Sequence, residues 1–180
     1  EEFDLKKALW TVPAERMKAK KEHLVPLSAR ALEILRGMGD LKTGVVVFPG
    51  GVPGEGLSDA AMNTLIKRMN RHRLAAEGKG WCDEKGERIV PHGFRATFKT
   101  WATDCTEFGR EVIEFALAHQ LPNKVEAAYT RGTMLEKRRP LMAAWATYCA
   151  SGVPLAFSSQ AVRRVREYTD PDPKIVKIPL

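Results

Sequence analysis

The sequence predicts an α+β domain that is mostly helical and carries a small antiparallel β-sheet near its N-terminus. Two short extended runs, Lys7–Thr11 and His23–Leu27, flank a polar, basic stretch at Glu15–Glu22, which is the pattern of a β-hairpin or small meander. The segments that follow space their apolar residues as amphipathic helices do. A chain of 180 residues is long enough for one such domain and a tail.

The helices have their own start and stop signals. Ser28 is the predicted N-cap of a helix over Ala29–Arg36, which Gly37 is expected to end. A short buried run, Val45–Phe48, precedes a Gly/Pro-rich loop at Pro49–Gly56. Further helices are predicted at about 59–73 (N-cap Ser58; apolar face Ala61/Met62, Leu65 and Met69), 93–104, 111–118, 124–129 and 134–150 (N-cap Thr133; Leu135, Leu141, Met142 and Trp145 facing inward).

The charge and the cysteines narrow the function classes. The sequence has 29 Lys and Arg against 22 Asp and Glu, a net charge of +7, which suits a polyanionic partner such as nucleic acid. Cys82, Cys105 and Cys149 are widely spaced and form no Cys-x-x-Cys pair, so we expect a reducing cytoplasm rather than a disulfide framework. No apolar run is long enough to span a membrane, and no signal segment opens the sequence.

An ordered set of groups that can handle phosphate lies between Pro91 and Tyr129. His92 and Arg95 are three residues apart, so on a helix they share one face and can converge on one phosphate. An arginine binds a phosphate through two parallel hydrogen bonds, and the imidazoles of His92 and His119 can transfer protons near neutral pH. Tyr129 can act as a nucleophile where positive charge lies near its phenol. Taken singly, each residue also fits a structural role, as a cap, a core side chain or a surface ion pair.

The order and spacing of these residues resemble the tyrosine recombinases, also known as the phage integrase family. The run Pro91–Phe98, Pro-His-Gly-Phe-Arg-Ala-Thr-Phe, follows the family's Pro-His-x-x-Arg pattern closely. Three further runs, Trp10–Lys18, Thr97–Trp101 and Tyr129–Pro140, are similar to those of the prophage and genomic-island branch. The resemblance extends from about Trp10 to Cys149 and implies the catalytic-domain fold of that family.

The resemblance implies roles for five residues: Tyr129 as nucleophile, Arg95 as phosphate ligand, His92 in general base catalysis, His119 as hydrogen-bond donor to the phosphate, and Lys18 as general acid toward the 5′-oxygen. Lys18 is selected by aligning the run that begins at His23, and Lys20 and Lys21 remain alternatives. Ala118 departs from the family pattern, which usually has Leu-Gly-His at this point.

The implied partner is double-stranded DNA, at attachment sites of the tRNA-gene type. The family assembles as a tetramer on DNA, with accessory DNA-bending or directionality factors, to integrate or excise a prophage or genomic island in the bacterial nucleoid. Because a 3′-phosphotyrosine bond conserves the energy of the broken phosphodiester, no cofactor and no metal is expected. The spacings of His72, Asp83, His92 and His119 also match no standard metal-ligand pattern.

We expect a catalytic domain at residues 1–152 and a tail at residues 153–180, where prolines become frequent. One short helix is predicted in the tail near Ser159–Tyr168, and it suits a segment that packs on a neighbouring protomer. The chain opens on Glu1-Glu2-Phe3-Asp4, like the middle of a protein, and the family places another catalytic arginine upstream of Lys18. The sequence therefore predicts a fragment that is inactive alone. Two other interpretations stay open for it, a type IB topoisomerase-like enzyme and a non-catalytic DNA-binding module.

Overall fold

The computed structural model describes residues 2–39, 46–83, 86–119 and 133–151. Within these ranges it contains three β-strands and five α-helices, which confirms the predicted α+β class with a small N-terminal antiparallel sheet. None of the helices in these ranges is long and apolar enough to cross a membrane. Tyr129, the helix predicted at 124–129 and the tail from 153 onward lie outside the described residues.

The sheet is a three-stranded meander. Its strands β1 (Phe3–Asp4), β2 (Leu9–Val12) and β3 (His23–Pro26) pair antiparallel in chain order. Trp10 on β2 lies opposite Phe3 on β1, and the two rings stack with their centroids 5.4 Å apart. The two predicted strands are thus confirmed with small shifts of their ends, and β1 is an addition that covers the outer edge of β2.

The first helix, α1 (Ala29–Gly39), begins as predicted and ends later. The Ser28 hydroxyl accepts a hydrogen bond from the Ala31 N–H (3.3 Å), so Ser28 is an N-cap. The helix continues past Gly37, and the predicted end was wrong. A glycine inside a helix costs only about 1 kcal/mol relative to alanine, which is too little to stop a helix whose neighbours favour it.

Helix α2 (Ala61–Glu77) is longer than predicted and is capped differently. The residue before it is Ala60, and Ser58 contributes its backbone carbonyl to the Ala61 N–H (2.9 Å) rather than a side-chain cap. The predicted Ser58 cap was therefore wrong. The helix ends at Glu77 and is capped by Gly78, whose left-handed backbone (φ +68°) lets its N–H reach the Leu74 carbonyl.

Burial around α2 also differs from the prediction. Ile66 is its buried apolar residue, whereas Met62, Leu65 and Met69 on the predicted apolar face are exposed. The run that ends at Phe48 was predicted to be buried, but Phe48 is 43% exposed. Phe48 stays exposed because its segment does not join the three-stranded sheet. A single antiparallel bridge between Pro49 and Gly56 closes a turn there instead.

The core lies between α3 (Gly93–Cys105), α4 (Arg110–Ala116) and α5 (Leu135–Ser151). Trp101 is completely buried, and its ring centroid lies 5.0 Å from that of Trp145 on α5. The buried members of this cluster are Phe98, Trp101, Ala102, Val112, Ile113, Leu117 and Leu141, with Met142, Trp145 and Tyr148 packed against them. The predicted inward positions of α5 are confirmed for Leu141, Met142 and Trp145, and this packing fixes α3 and α4 relative to each other.

Arg138 on α5 ties the sheet to the helices. It is 1% exposed, and its guanidinium donates to the backbone carbonyls of Leu24 on β3 (2.6 Å) and Phe115 on α4 (3.4 Å). Burial lowers the pKa of Arg138, but a guanidinium keeps its charge in proteins. The buried Arg138 guanidinium therefore connects β3, the strand that follows the basic turn, to the end of α4.

Replacing Arg138 by Met should lower the free energy of unfolding by about 2 kcal/mol, because two carbonyls lose a charged donor. Arg30→Met is the control: it removes one positive charge from the surface of α1, where the partner is the exposed Glu33 carboxylate (2.7 Å), and should cost at most about 1 kcal/mol. Urea unfolding followed by circular dichroism measures both. Equal losses in the two variants would contradict a clamping role for Arg138.

Candidate functional site

Two parts of the predicted site meet where α4 ends. Arg95, in the first turn of α3, donates a hydrogen bond from Nη2 to the backbone carbonyl of Leu117. Leu117 lies two residues before His119, so the fold brings Arg95 to the backbone next to that histidine. The guanidinium has five N–H donors and this bond uses one of them, which leaves capacity to bind an anion.

His119 follows a sharp change of backbone direction. Helix α4 ends at Ala116, two residues before the predicted end, because Ala118 adopts a left-handed conformation (φ +54°). The His119 N–H then donates to the Glu114 carbonyl (2.9 Å), and the Ala118 N–H donates to the Phe115 carbonyl (3.1 Å). These bonds satisfy helix carbonyls that would otherwise lack donors and fix the backbone of His119.

The side chain of His119 contacts a buried carboxylate. Its Nδ1 lies 2.5 Å from Oε2 of Glu114, and the other carboxylate oxygen, Oε1, lies 2.7 Å from Nζ of Lys99. The hydrogen bond from Lys99 and, more weakly, that from His119 lower the pKa of Glu114 although burial opposes them. Glu114 is therefore ionised near neutral pH, and because a carboxylate can only accept, Nδ1 of His119 carries the proton in this contact.

His92 and Lys18 are both at the surface. His92 occupies the N-cap position of α3, but its side chain makes no capping hydrogen bond, so capping does not explain it. Lys18 lies exposed on the turn between β2 and β3, as the resemblance implies. Lys20 and Lys21 share this exposed turn and stay alternatives to Lys18. Tyr129, the predicted nucleophile, lies outside the described residues.

His23, at the start of β3, lies near Arg95 and Arg138, although in the sequence it only marks the run that aligns the basic turn. Burial and then the charges of Arg138 and Arg95 lower the pKa of His23. Protonation of His23 therefore opposes folding. The stability that the neutral ring contributes is lost as the pH falls below the ordinary histidine pKa of about 6.5. Its proximity to two arginines arises from contacts between β3 and distant helices, which no local sequence pattern reveals.

Glu114 and Arg138 were also missed. Neither belongs to a motif. Glu114 contacts His119 just beyond the end of its own helix, and Arg138 contacts backbone carbonyls that are far away in the sequence. The one sequence signal for Glu114 is its position five residues before His119, which becomes meaningful only once α4 is known to end between them. In the described ranges, no three His, Cys, Asp or Glu side chains come close enough together to hold a metal ion.

A model of the phage integrase family matches residues 1–136 of the chain. The chain belongs to the phage integrase family. It is similar to Prophage integrase IntA of Escherichia coli strain K12, with 36% identity over 148 residues, which make up 81% of this chain and 32% of IntA. It is also similar to the Integrase of Enterobacteria phage P4, with 30% identity over an alignment of 185 positions that covers 93% of this chain and 39% of that protein.

A third relative is Prophage integrase IntZ of Escherichia coli strain K12, 32% identical over 142 residues, 78% of this chain and 31% of IntZ. This phage integrase chain thus spans well under half the length of the curated relatives it matches. No solved structure matches it.

The left-handed residue explains why the integrase pattern usually has glycine before this histidine. Alanine in that conformation is strained by about 1 kcal/mol, whereas glycine is not. Ala118→Gly should therefore raise the free energy of unfolding by up to about 1 kcal/mol. Ala143→Gly, at an exposed position in the interior of α5, is the control and should lower it by about 1 kcal/mol. Chemical denaturation measures both, and a destabilised Ala118→Gly would contradict the assigned backbone strain.

Proposed function

We propose that this integrase domain serves a site-specific DNA recombinase that cleaves and rejoins DNA through a 3′-phosphotyrosine at Tyr129. One observation carries the proposal: at the end of α4, the Arg95 guanidinium bonds the Leu117 carbonyl two residues from His119. A guanidinium and an imidazole held near each other at the surface suit one phosphate, whose charge grows as phosphorus is attacked. The names of the relatives, prophage and phage integrases, support the same function.

In the first step, the Tyr129 hydroxyl oxygen bonds to phosphorus while the bond from phosphorus to the 5′-oxygen breaks. His92 accepts the phenol proton, and Lys18 gives a proton to the leaving 5′-oxygen. Arg95 neutralises charge on the non-bridging oxygens, and His119 donates a hydrogen bond to one of them. The products are a protein–DNA 3′-phosphotyrosine and a free 5′-hydroxyl.

In the second step, a 5′-hydroxyl of another strand attacks the phosphotyrosine. A phosphodiester forms as the bond from phosphorus to the Tyr129 oxygen breaks. Lys18 takes the proton of the attacking 5′-hydroxyl, His92 returns a proton to the leaving phenolate, and the number of phosphodiester bonds is unchanged. Strand exchange joins two duplexes, so we propose four protomers on double-stranded attachment sites of the tRNA-gene type, with accessory DNA-bending or directionality proteins. Residues 1–152 would form the catalytic domain, and residues 153–180 would pack on a neighbouring protomer.

The test uses the chain together with the upstream residues of its parent protein. Nicked suicide duplexes carrying candidate tRNA-gene 3′ ends release a short 5′-hydroxyl fragment on cleavage, so a covalent adduct accumulates and is seen on a denaturing gel. Protease digestion and mass spectrometry should place the DNA on a peptide containing Tyr129. DNA on Tyr148 or Tyr168 would contradict the assignment, and salt-sensitive binding without an adduct would favour the DNA-binding module.

A plasmid assay separates the recombinase from a type IB topoisomerase. Both form the same adduct, but a topoisomerase relaxes supercoiled DNA with little regard for sequence, whereas a recombinase joins strands from two duplexes that carry its site. We expect recombinant products only from plasmids with the attachment sequence. Rapid relaxation of any supercoiled plasmid, without recombinants, would favour the topoisomerase.

A further inference from the structure

We propose that Glu114 is a positioning residue for His119, which sets the orientation and the tautomer of that imidazole next to Arg95. The catalytic consequence of this inference rests on the proposed function. Its structural part depends only on contacts among described residues. No direct contact of Glu114 with DNA is implied, because the carboxylate is buried and its charge would repel a phosphate.

Glu114 holds His119 at two points. Its backbone carbonyl accepts the His119 N–H (2.9 Å), which fixes the backbone after the left-handed turn. Its carboxylate oxygen Oε2 lies 2.5 Å from Nδ1, which fixes the rotation of the ring. Nε2 is thus the ring nitrogen that Glu114 leaves unused, and it is the atom that can donate to a phosphate oxygen when the imidazole is protonated.

Lys99 in turn fixes Glu114. Its ammonium lies 2.7 Å from Oε1, so the two carboxylate oxygens have different partners and the oxygen that faces His119 is defined. The carboxylate side chain is 10% exposed, whereas those of Lys99 and His119 are 48% and 40% exposed. A buried carboxylate with both oxygens bound loses little further side-chain freedom, which suits a rigid support for an exposed ring.

The Lys99 contact makes Glu114→Gln a sharp test. An ammonium group can only donate, so the Gln amide oxygen should replace Oε1 and its NH₂ group should face Nδ1 of His119. That NH₂ group can only donate, and Nδ1 must then be the acceptor. A substitution that changes hardly any volume should thus switch neutral His119 from the Nδ1–H tautomer to the Nε2–H tautomer.

Nitrogen NMR of the histidine rings measures this switch directly in the 180-residue chain. The sequence has four histidines, so a His119→Gln variant assigns the signal of His119. At a pH at which the rings are neutral, we expect the Nδ1–H tautomer in the unmodified chain and the Nε2–H tautomer in Glu114→Gln and Glu114→Leu. An Nε2–H tautomer already in the unmodified chain, or the same tautomer in all three proteins, would overturn the proposal.

The catalytic consequence is measured by suicide-substrate cleavage with the upstream residues restored. The imidazole that donates to the phosphate carries a proton on both ring nitrogens, and in both Glu114 variants its Nδ1–H loses the acceptor that orients the ring. Both variants should therefore cleave on the order of 10- to 100-fold more slowly. Glu111→Gln, on the exposed start of the same helix, is the matched control and should cleave at the unmodified rate. A Glu114→Gln protein that is folded and cleaves as fast as the control would overturn the positioning role.

Failure of the proposed function is distinguishable from failure of this inference. If the unmodified protein forms no adduct, the recombinase mechanism is contradicted, whereas the NMR comparison still decides whether Glu114 sets the His119 tautomer. If the unmodified protein forms the adduct and Glu114→Gln changes neither tautomer nor rate, the recombinase mechanism stands and the role of Glu114 is rejected.

Discussion

Replacement of Tyr129 by Phe should abolish the covalent DNA–protein adduct while DNA affinity stays close to that of the unmodified protein. The substitution removes one oxygen, and without it no protein atom at this position can bond to phosphorus. The ring remains, and so do the cationic groups that bind the DNA backbone, which dominate affinity. A denaturing gel on nicked suicide DNA measures the adduct, and fluorescence anisotropy at fixed salt measures binding.

Tyr148 provides the matched control. Its ring stacks against those of Trp101 and Trp145, with centroids 5.4 Å apart in both cases, and burial raises the pKa of its phenol. A phenol in that environment is a poor nucleophile. Tyr148→Phe should therefore form the adduct normally. An adduct that persists in Tyr129→Phe and disappears in Tyr148→Phe would contradict Tyr129 as the nucleophile and identify Tyr148 instead.

The sequence predicted best those elements whose apolar residues recur with helical spacing. In α3, Phe98, Trp101 and Ala102 lie on one face, and all three are buried. In α5, Leu141 and Trp145 recur one turn apart and face the same cluster. Such a pattern predicts both the helix and its buried side, because one stripe of side chains must leave water together.

Helix α2 shows where that inference fails. Its apolar spacing is correct for a helix, yet Met62, Leu65 and Met69 are exposed in the described part of the chain. Periodicity states which side chains share a face, and burial depends on another element that packs against the face. The helix ends are subject to the same limit, since Ser58 can cap through its backbone or its side chain and Gly37 can end a helix or lie within it.

The candidate residues of the site were predicted from their order in the sequence, but the side chains that contact them were not. The His-x-x-Arg pair and His119 can be recognised in the sequence from their residue types and their spacing. The carboxylate of Glu114 and the guanidinium of Arg138 become relevant only through contacts at the end of α4 and with β3. These contacts join residues whose partners are set by tertiary packing, which a single sequence does not contain.

Arg95→Lys should slow DNA cleavage by about 100- to 1,000-fold while DNA affinity changes little. The positive charge is kept, so binding to the DNA backbone is largely kept as well. What is lost is the planar fork of donors, which stabilises the charge that develops on the phosphate in the transition state. Single-turnover cleavage of suicide DNA at saturating protein measures the rate separately from binding.

Arg110→Lys is the control for this substitution. Arg110 lies exposed at the start of α4, away from the end of that helix where Leu117 and His119 lie, and the variant should cleave at the unmodified rate. An Arg95→Lys protein that cleaves as fast as this control would remove Arg95 from the reaction. A parallel loss of affinity and rate would instead make Arg95 a DNA-binding residue without a special role in the transition state.

The Leu117 carbonyl explains why lysine should not substitute for Arg95. The donors of a guanidinium point outward along the edges of a plane, so one N–H can hold the carbonyl while others bind a phosphate. The donors of an ammonium group radiate from a single nitrogen, which must lie within hydrogen-bond distance of every acceptor it serves. Carbonyl and phosphate would then compete for the position of one atom, and the loss should appear in the rate, where the alignment of donors with the developing charge matters most.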